Sequence, residues 1–133
     1  MSTQVDHAKD QARLQYESIT EMVQALHLFG KDDYEEEALE QARERIQNDP
    51  LSVEVRSGWH TPGVGDSPAE EYRILLCTGG PAVHIIGTLS EYLEPDSARI
   101  QYQDWGTPWT DYPLTSKQEA TVLEYAQQFY YGG

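Results

Sequence analysis

The 133-residue sequence contains one cysteine, Cys77. A lone cysteine excludes an internal disulfide framework and any zinc site built from several cysteines, and it suits a reducing compartment. A chain of this length buries enough apolar surface to fold as one domain without such cross-links. The sequence therefore predicts a single domain stabilised by a hydrophobic core.

Long apolar segments are also absent. The longest, around Ile74–Cys77 and Val83–Gly87, have the length of strands, whereas a membrane-spanning helix needs about 20 apolar residues. Residues 1–15 contain no apolar core of the kind found in signal peptides. From these absences we expect a soluble, cytoplasmic protein.

Basic residues are scarce. Nine Lys and Arg stand against 23 Asp and Glu, which gives a net charge of −14. A small domain needs a net charge of only about 2–8 in magnitude to stay soluble. A field of this sign repels nucleic acid and anionic membranes and attracts basic surfaces. Two interpretations stay open, solubility alone or a charge that serves binding to a basic partner.

The order of apolar and polar residues predicts a mixed fold. Spacings of three and four predict a helix from about Thr3 to Leu28 that ends at Gly30, and a second helix from Asp32 or Asp33 to Gln47. After Pro50 the period changes to two, which predicts strands. These strands are Leu51–Arg56, Glu71–Thr78, Ala82–Leu89 and Ser97–Trp105, and their short connections favour antiparallel pairing.

A last helix is predicted to begin at Ser116, with Ser116 and Glu119 forming a capping box. The fold class is therefore α+β in the order ααββββα. We divide the single domain into a helical hairpin over residues 1–49, an antiparallel four-stranded meander over 50–112 and a C-terminal helix over 113–133. The helices are expected to pack on one face of the sheet.

Residues that could carry catalysis lack a recognisable arrangement. The four histidines, His7, His27, His60 and His84, have no metal-ligand spacing. Cys77 lies among apolar strand residues, which favour an inert thiol. Gly79-Gly80-Pro81 joins two strands and lacks the helix and lysine of a phosphate loop. We expect a protein without enzymatic activity, cofactor or metal.

Two features remain as candidates for partner binding. Large aromatic residues occur at the end of the predicted fourth strand, Trp105, and in predicted loops, Trp59, Trp109 and Tyr112. They either fold back over the sheet or form an interface hot spot. The densest acidic run comprises Asp32, Asp33, Glu35, Glu36 and Glu37. These carboxylates either stabilise a helix N-terminus or imitate the phosphates that a basic groove binds.

Four segments resemble a group of small acidic proteins encoded by bacteriophages and prophages. They are Ser52–Gly63, Glu71–Gly87, Glu94–Thr110 and Gln128–Gly133, and the resemblance covers about residues 50–131. Its most specific parts are Cys-Thr-Gly-Gly-Pro-Ala at 77–82 and Gln-Asp-Trp-Gly-Thr-Pro-Trp at 103–109. The resemblance implies a phage accessory gene, a setting in which small acidic proteins inhibit host defence, and no catalytic residues are carried over from it.

Charge and resemblance together suggest an anti-CRISPR protein that acts in the cytoplasm of the bacterial host. It would bind a basic, nucleic-acid-contacting surface of a CRISPR effector and block DNA recognition, with no direct contact to nucleic acid or membrane. The alternative is a phage regulatory or adaptor protein that binds a host protein through its Trp/Tyr loop. A small enzyme that uses Cys77 or clustered carboxylates is a third hypothesis.

Overall fold

A computed structural model describes residues 3–29, 36–63 and 68–132. Its first helix, α1, spans Thr3–Phe29, and its second, α2, spans Glu36–Gln47. Both agree with the predicted helical segments. The predicted helix end at Gly30 and the predicted start at Asp32 or Asp33 lie outside the described residues. Neither of these helices, nor the third one, is long and apolar enough to cross a membrane.

The described strands form one antiparallel sheet in the order β1-β2-β3-β4-β5. The bounds are Ser52–Arg56 for β1, Glu71–Cys77 for β2, Ala82–Thr88 for β3, Arg99–Gln103 for β4 and Thr110–Asp111 for β5. Each strand pairs with the next along the chain, so the predicted meander is confirmed. The predicted number of four strands is wrong, because the sheet has a fifth.

The fifth strand lies in a segment whose sequence predicts a loop. Residues 106–115 contain two prolines that suppress strand periodicity. The tertiary structure nevertheless pairs Thr110 with Tyr102 and Asp111 with Gln101. The pairing continues through Tyr112, whose N–H donates to the Ile100 carbonyl at 2.8 Å. A two-residue strand has too little sequence pattern to be recognised on its own.

The core lies between one face of the sheet and the helices. α1 packs on β3 and β4, and α2 and the third helix, α3 (Ser116–Ala126), pack beside α1. Alternate strand residues point into this layer, as the period of two predicts. The residues that are fully buried with the largest side chains are Ile19, Met22, Ile46, Ile74, Val83, Ile85, Ile100, Val122 and Tyr125.

α3 begins with a capping box one residue earlier than predicted. Thr115 is the N-cap, and its hydroxyl accepts a hydrogen bond from the Gln118 N–H at 3.2 Å. The Gln118 side chain accepts one from the Thr115 N–H at 2.8 Å. The predicted pair Ser116 and Glu119 is therefore wrong. Thr115 has extended backbone angles, which suit an N-cap, whereas Ser116 is already helical.

Candidate functional site

The face of the sheet opposite the helices carries a shallow groove of about 440 Å³. Its floor and walls come from alternate residues of β1 to β4 and from Trp109. The side chains that face it include Glu54, Arg56, Glu71, Arg73, His84, Ile86, Gln101 and Trp109. We call this surface the sheet-face groove.

The sheet is electrically neutral in an acidic protein. Its five strands carry three arginines and three carboxylates. These form the ion pairs Arg56–Glu71 at 3.1 Å, Arg73–Glu54 at 2.5 Å and Arg99–Asp111 at 3.7 Å. The Arg56 guanidinium lowers the pKa of Glu71 by hydrogen bonding to it. Such exposed pairs contribute little to stability, and the negative charge of the protein lies elsewhere.

His84 lies at the bottom of the groove and is only 3% exposed. Its Nε2 is 2.8 Å from Gln101 Oε1, and Gln101 Nε2 donates to Asp111 Oδ1 at 2.9 Å. These two contacts place the proton of the neutral imidazole on Nε2. Nδ1 is then an acceptor, and it has no partner among the described residues. The hydrogen bonds from His84 to Gln101 and from Gln101 to Asp111 join β3, β4 and β5 and hold β5 in register.

Trp109 covers this histidine. The two rings are stacked, with their centroids 3.7 Å apart and an angle of 12° between their planes. Burial under the indole lowers the pKa of His84, and the nearby Arg73 lowers it slightly further, while the hydrogen bond to Gln101 acts in the opposite direction. The contact with Gln101 and the cover by Trp109 give His84 a structural role in the sheet. The stack itself was not predicted.

We expect acid to destabilise the fold through His84. Because burial lowers its pKa, the unfolded chain takes up a proton at a higher pH than the folded protein does. The free energy of unfolding should therefore fall as the pH drops below about 6.5. Substituting His84→Gln should reduce this fall, measured by denaturant unfolding at pH about 7 and about 5. An unchanged difference between the two pH values would contradict the assignment.

The four predicted aromatic residues do not form one cluster. Trp109 lies on His84, and the half-buried Tyr112 packs against the core. Trp59 is fully exposed beyond the end of β1, and Trp105 is 75% exposed beyond the end of β4, against Gly80. The end of β1 and the end of β4 lie at opposite ends of the sheet along the strand direction, roughly 20 Å apart. A common hot spot of all four is therefore not formed.

The acidic run is described only in part, since Asp32, Asp33 and Glu35 lie outside the described residues. Glu36 and Glu37 are exposed in the first turn of α2. Two further exposed glutamates, Glu40 and Glu44, continue the same surface at intervals of four residues. We call Glu36, Glu37, Glu40 and Glu44 the α2 carboxylate row. The last two were not among the residues predicted from the sequence, although the i, i+4, i+8 spacing indicates them.

The row lies on the side of α2 opposite its buried residues. Ala42 and Ile46 face the core, and at 100° per residue the four glutamates occupy the opposite arc. From Glu36 to Glu44 the row extends about 12 Å along the helix. No ion pair joins these carboxylates to a cation within the parts of the chain that the structure describes. These carboxylates therefore remain available to a cationic partner.

The Cys77 and Asp104 side chains, which could serve as a nucleophile and as a metal ligand, are partly buried or take part in structural hydrogen bonds. Burial raises the pKa of the Cys77 thiol, which reduces the fraction of reactive thiolate. Asp104 accepts a hydrogen bond from the Trp105 N–H at 2.8 Å and thereby shapes the turn after β4. Over residues 3–29, 36–63 and 68–132, no group of three or more His, Cys, Asp or Glu side chains could hold a metal ion.

Comparison with protein-family models, with curated proteins and with solved structures gave no match for this chain. The acidic and aromatic surfaces described above are therefore the basis for assigning a function.

Proposed function

We propose that the protein is a phage-encoded inhibitor of bacterial defence, and specifically an anti-CRISPR. It binds a basic, nucleic-acid-contacting surface of a CRISPR effector and blocks DNA recognition by occupying that surface. The observation that carries the proposal is the α2 carboxylate row, an exposed line of carboxylates that form no ion pair within the described residues.

The row is poorly explained by helix stability alone. Glu36 and Glu37 lie in the first turn, where they interact favourably with the helix dipole. Glu40 and Glu44 lie beyond that turn, and like charges at i, i+4 destabilise a helix by about 0.2–0.5 kcal/mol per pair. Repulsion between these glutamates therefore slightly destabilises α2. Binding to a partner of opposite charge is a physical reason for the presence of these glutamates.

The overall charge supports the same role. A net charge of −14 steers the protein toward a basic channel and raises its association rate at low salt. A channel lined with Lys and Arg binds the regularly spaced phosphates of nucleic acid, and the spaced carboxylates of α2 offer it an alternative ligand. Such inhibition needs no catalytic residue, only occupancy of the channel.

The first test is to identify the partner. Tagged protein is incubated with lysate of a CRISPR-bearing host, and the retained proteins are identified by mass spectrometry. We expect a Cas subunit or an assembled effector at stoichiometric amounts, released by moderate salt. Recovery of an unrelated host protein would replace the anti-CRISPR proposal with the adaptor function considered below.

The second test removes charge from the row. The variant Glu36→Gln/Glu40→Gln/Glu44→Gln should bind the retained effector at least tenfold more weakly at salt of about 0.05 M, which corresponds to about 0.5 kcal/mol per charge. The loss should shrink at about 0.5 M salt, because salt screens the attraction. Affinity is measured by titration at both salt concentrations.

The matched control for this test changes the net charge equally at another place. Glu91, Glu94 and Glu119 are exposed and lie outside α2. Replacing all three with glutamine removes three negative charges from −14 and gives a net charge of −11, the same as in the α2 variant. It should lose clearly less affinity than the α2 variant. Equal losses would mean that total charge matters and that the row does not.

An adaptor function is the second candidate, and the exposure of two tryptophans favours it. Trp59 and Trp105 present large indole surfaces to solvent, and exposed tryptophan is enriched in hot spots. Binding through either indole would be insensitive to salt and would be lost in Trp59→Ala or Trp105→Ala. Trp109→Ala is a poor probe of this function because Trp109 covers His84.

A further inference from the structure

The strand β1 is an edge of the sheet with an unusual concentration of exposed apolar side chains. One side of β1 pairs with β2, and no strand in the described part of the chain pairs with the other side. Leu51 is 59% exposed, Val55 45% and Trp59 fully exposed, and all three lie in β1 or within three residues of it. An unpaired edge with apolar side chains is a template for pairing with another strand.

The alternation along β1 separates two kinds of side chain. Leu51, Val53 and Val55 share one side of the strand, and Val53 packs against the core. Glu54 and Arg56 share the other side, where they carry opposite charges two residues apart. Such a strand is complementary to an antiparallel copy of itself, because Glu54 of each copy can face Arg56 of the other.

We propose that two copies of this chain associate through β1, in antiparallel pairing about a two-fold axis at Val55. In this register Val55 of each copy lies opposite Val55 of the other. Glu54 of each copy then lies opposite Arg56 of the other, and the pair forms twice because the interface is symmetric. The same register directs Trp59 of one copy toward Leu51 of the other, and the two sheets become one sheet of ten strands.

Alternative registers are less favourable. An axis at Glu54 places two glutamates directly opposite each other, and an axis at Arg56 places two arginines opposite each other, both of which destabilise a pair. An axis at Val53 places Glu54 opposite Ser52 and Arg56 opposite Pro50, so neither charged residue meets one of opposite sign. A shift by one residue places the charged side chains on the apolar side of the partner strand.

The local charge also makes β1 a suitable place for two acidic molecules to meet. β1 and β2 together carry two arginines and two glutamates, so this edge is neutral although the whole chain is not. Arg73 and Glu71 already pair with Glu54 and Arg56, and the partner strand would extend these pairs into a network. At physiological salt the repulsion between charges more than about 8 Å apart is largely screened.

The test measures the mass of the full chain in solution by sedimentation and by light scattering. At concentrations up to about 0.1 mM, where even a weak dimer is populated, we expect a species of twice the chain mass of 15.1 kDa. A parent protein that stays monomeric over this range would overturn the proposal. This outcome does not depend on the proposed anti-CRISPR function, because no defence protein is present.

Charge exchange tests the register. Glu54→Arg places arginine opposite arginine, Arg56→Glu places glutamate opposite glutamate, and each variant alone should be monomeric. An equimolar mixture restores both opposite-charge pairs and should form the heterodimer. Both residues are exposed, so the variants should stay folded, which circular dichroism checks. Failure of the folded variants to associate on mixing would reject the Val55 register.

The matched control is Glu91→Arg, which changes the net charge by the same amount at an exposed position away from β1. It should dimerise like the parent protein. Loss of the dimer in this control as well would show that association depends on overall charge and would count against an interface at β1.

Discussion

Substituting Tyr125→Ala is expected to lower the free energy of unfolding by about 3–5 kcal/mol, the range found for large aromatic residues in cores. Tyr125 lies in α3, is fully buried and has one of the largest buried side chains. Its ring packs edge-on against Phe129 with centroids 5.3 Å apart. Alanine would leave a cavity in the core where α3 packs beside α1. Denaturant unfolding measures the effect.

The hydroxyl of Tyr125 contributes separately. It donates a hydrogen bond of 2.7 Å to Asp49 Oδ2, which connects α3 to the residues that follow α2. Burial raises the pKa of Tyr125, and the nearby Asp49 carboxylate raises it further, so the hydroxyl remains a donor at neutral pH. Tyr125→Phe keeps the ring and should cost about 1.5 kcal/mol, the value typical of a bond to a charged acceptor.

The control for both variants is Tyr92→Ala. Tyr92 is 75% exposed, and substitutions of exposed residues change stability by about 0.5 kcal/mol or less. If Tyr125→Ala were no more destabilising than Tyr92→Ala, the placement of α3 against the core would be incorrect.

The second large effect is expected for Gly87→Ala in β3, with a loss of about 1–3 kcal/mol or more. A Cβ atom at this position would overlap the carbonyl oxygen of Ser97 and would lie 2.8 Å from Cε1 of Tyr72. Both neighbours are fixed, because the Tyr72 hydroxyl donates a 2.6 Å hydrogen bond to the same Ser97 carbonyl. The methyl group can enter only if this contact opens.

Gly58→Ala is a matched control for the Gly87 substitution. Its Cβ would meet the end of the Glu70 side chain, which is exposed and free to rotate away. The stability of this variant should stay within about 0.5 kcal/mol of the parent. If thermal unfolding showed equal losses at the two positions, the close packing of β3 against Ser97 and Tyr72 would not account for the effect.

Much of the fold was predictable because its signals are local. The 3.6-residue period indicated α1, α2 and α3, and the period of two after Pro50 indicated β1 to β4. Each of these patterns is complete within a stretch of 5 to 27 residues. The position of the capping box differed by one residue because Thr115 and Ser116 are both good N-caps, and only backbone angles distinguish them.

The candidate surfaces were predicted less completely. Glu36 and Glu37 were selected from the acidic run, whereas Glu40 and Glu44 needed the helical geometry of α2 to join them. The groove was not predicted, because Trp109 and His84 are 25 residues apart in sequence and meet only through the turn between β4 and β5. Nothing local in either segment indicates that stack.

The sequence alone determined the α+β class, the order of the helices and of the first four strands, and the acidic charge, since these depend on composition and short-range periodicity. The tertiary structure decided which residues share a surface. It separated Trp59 from Trp105, covered His84 with Trp109 and added β5 at the edge of the sheet. These outcomes depend on strand register and on contacts between distant residues, which a short-range pattern does not contain.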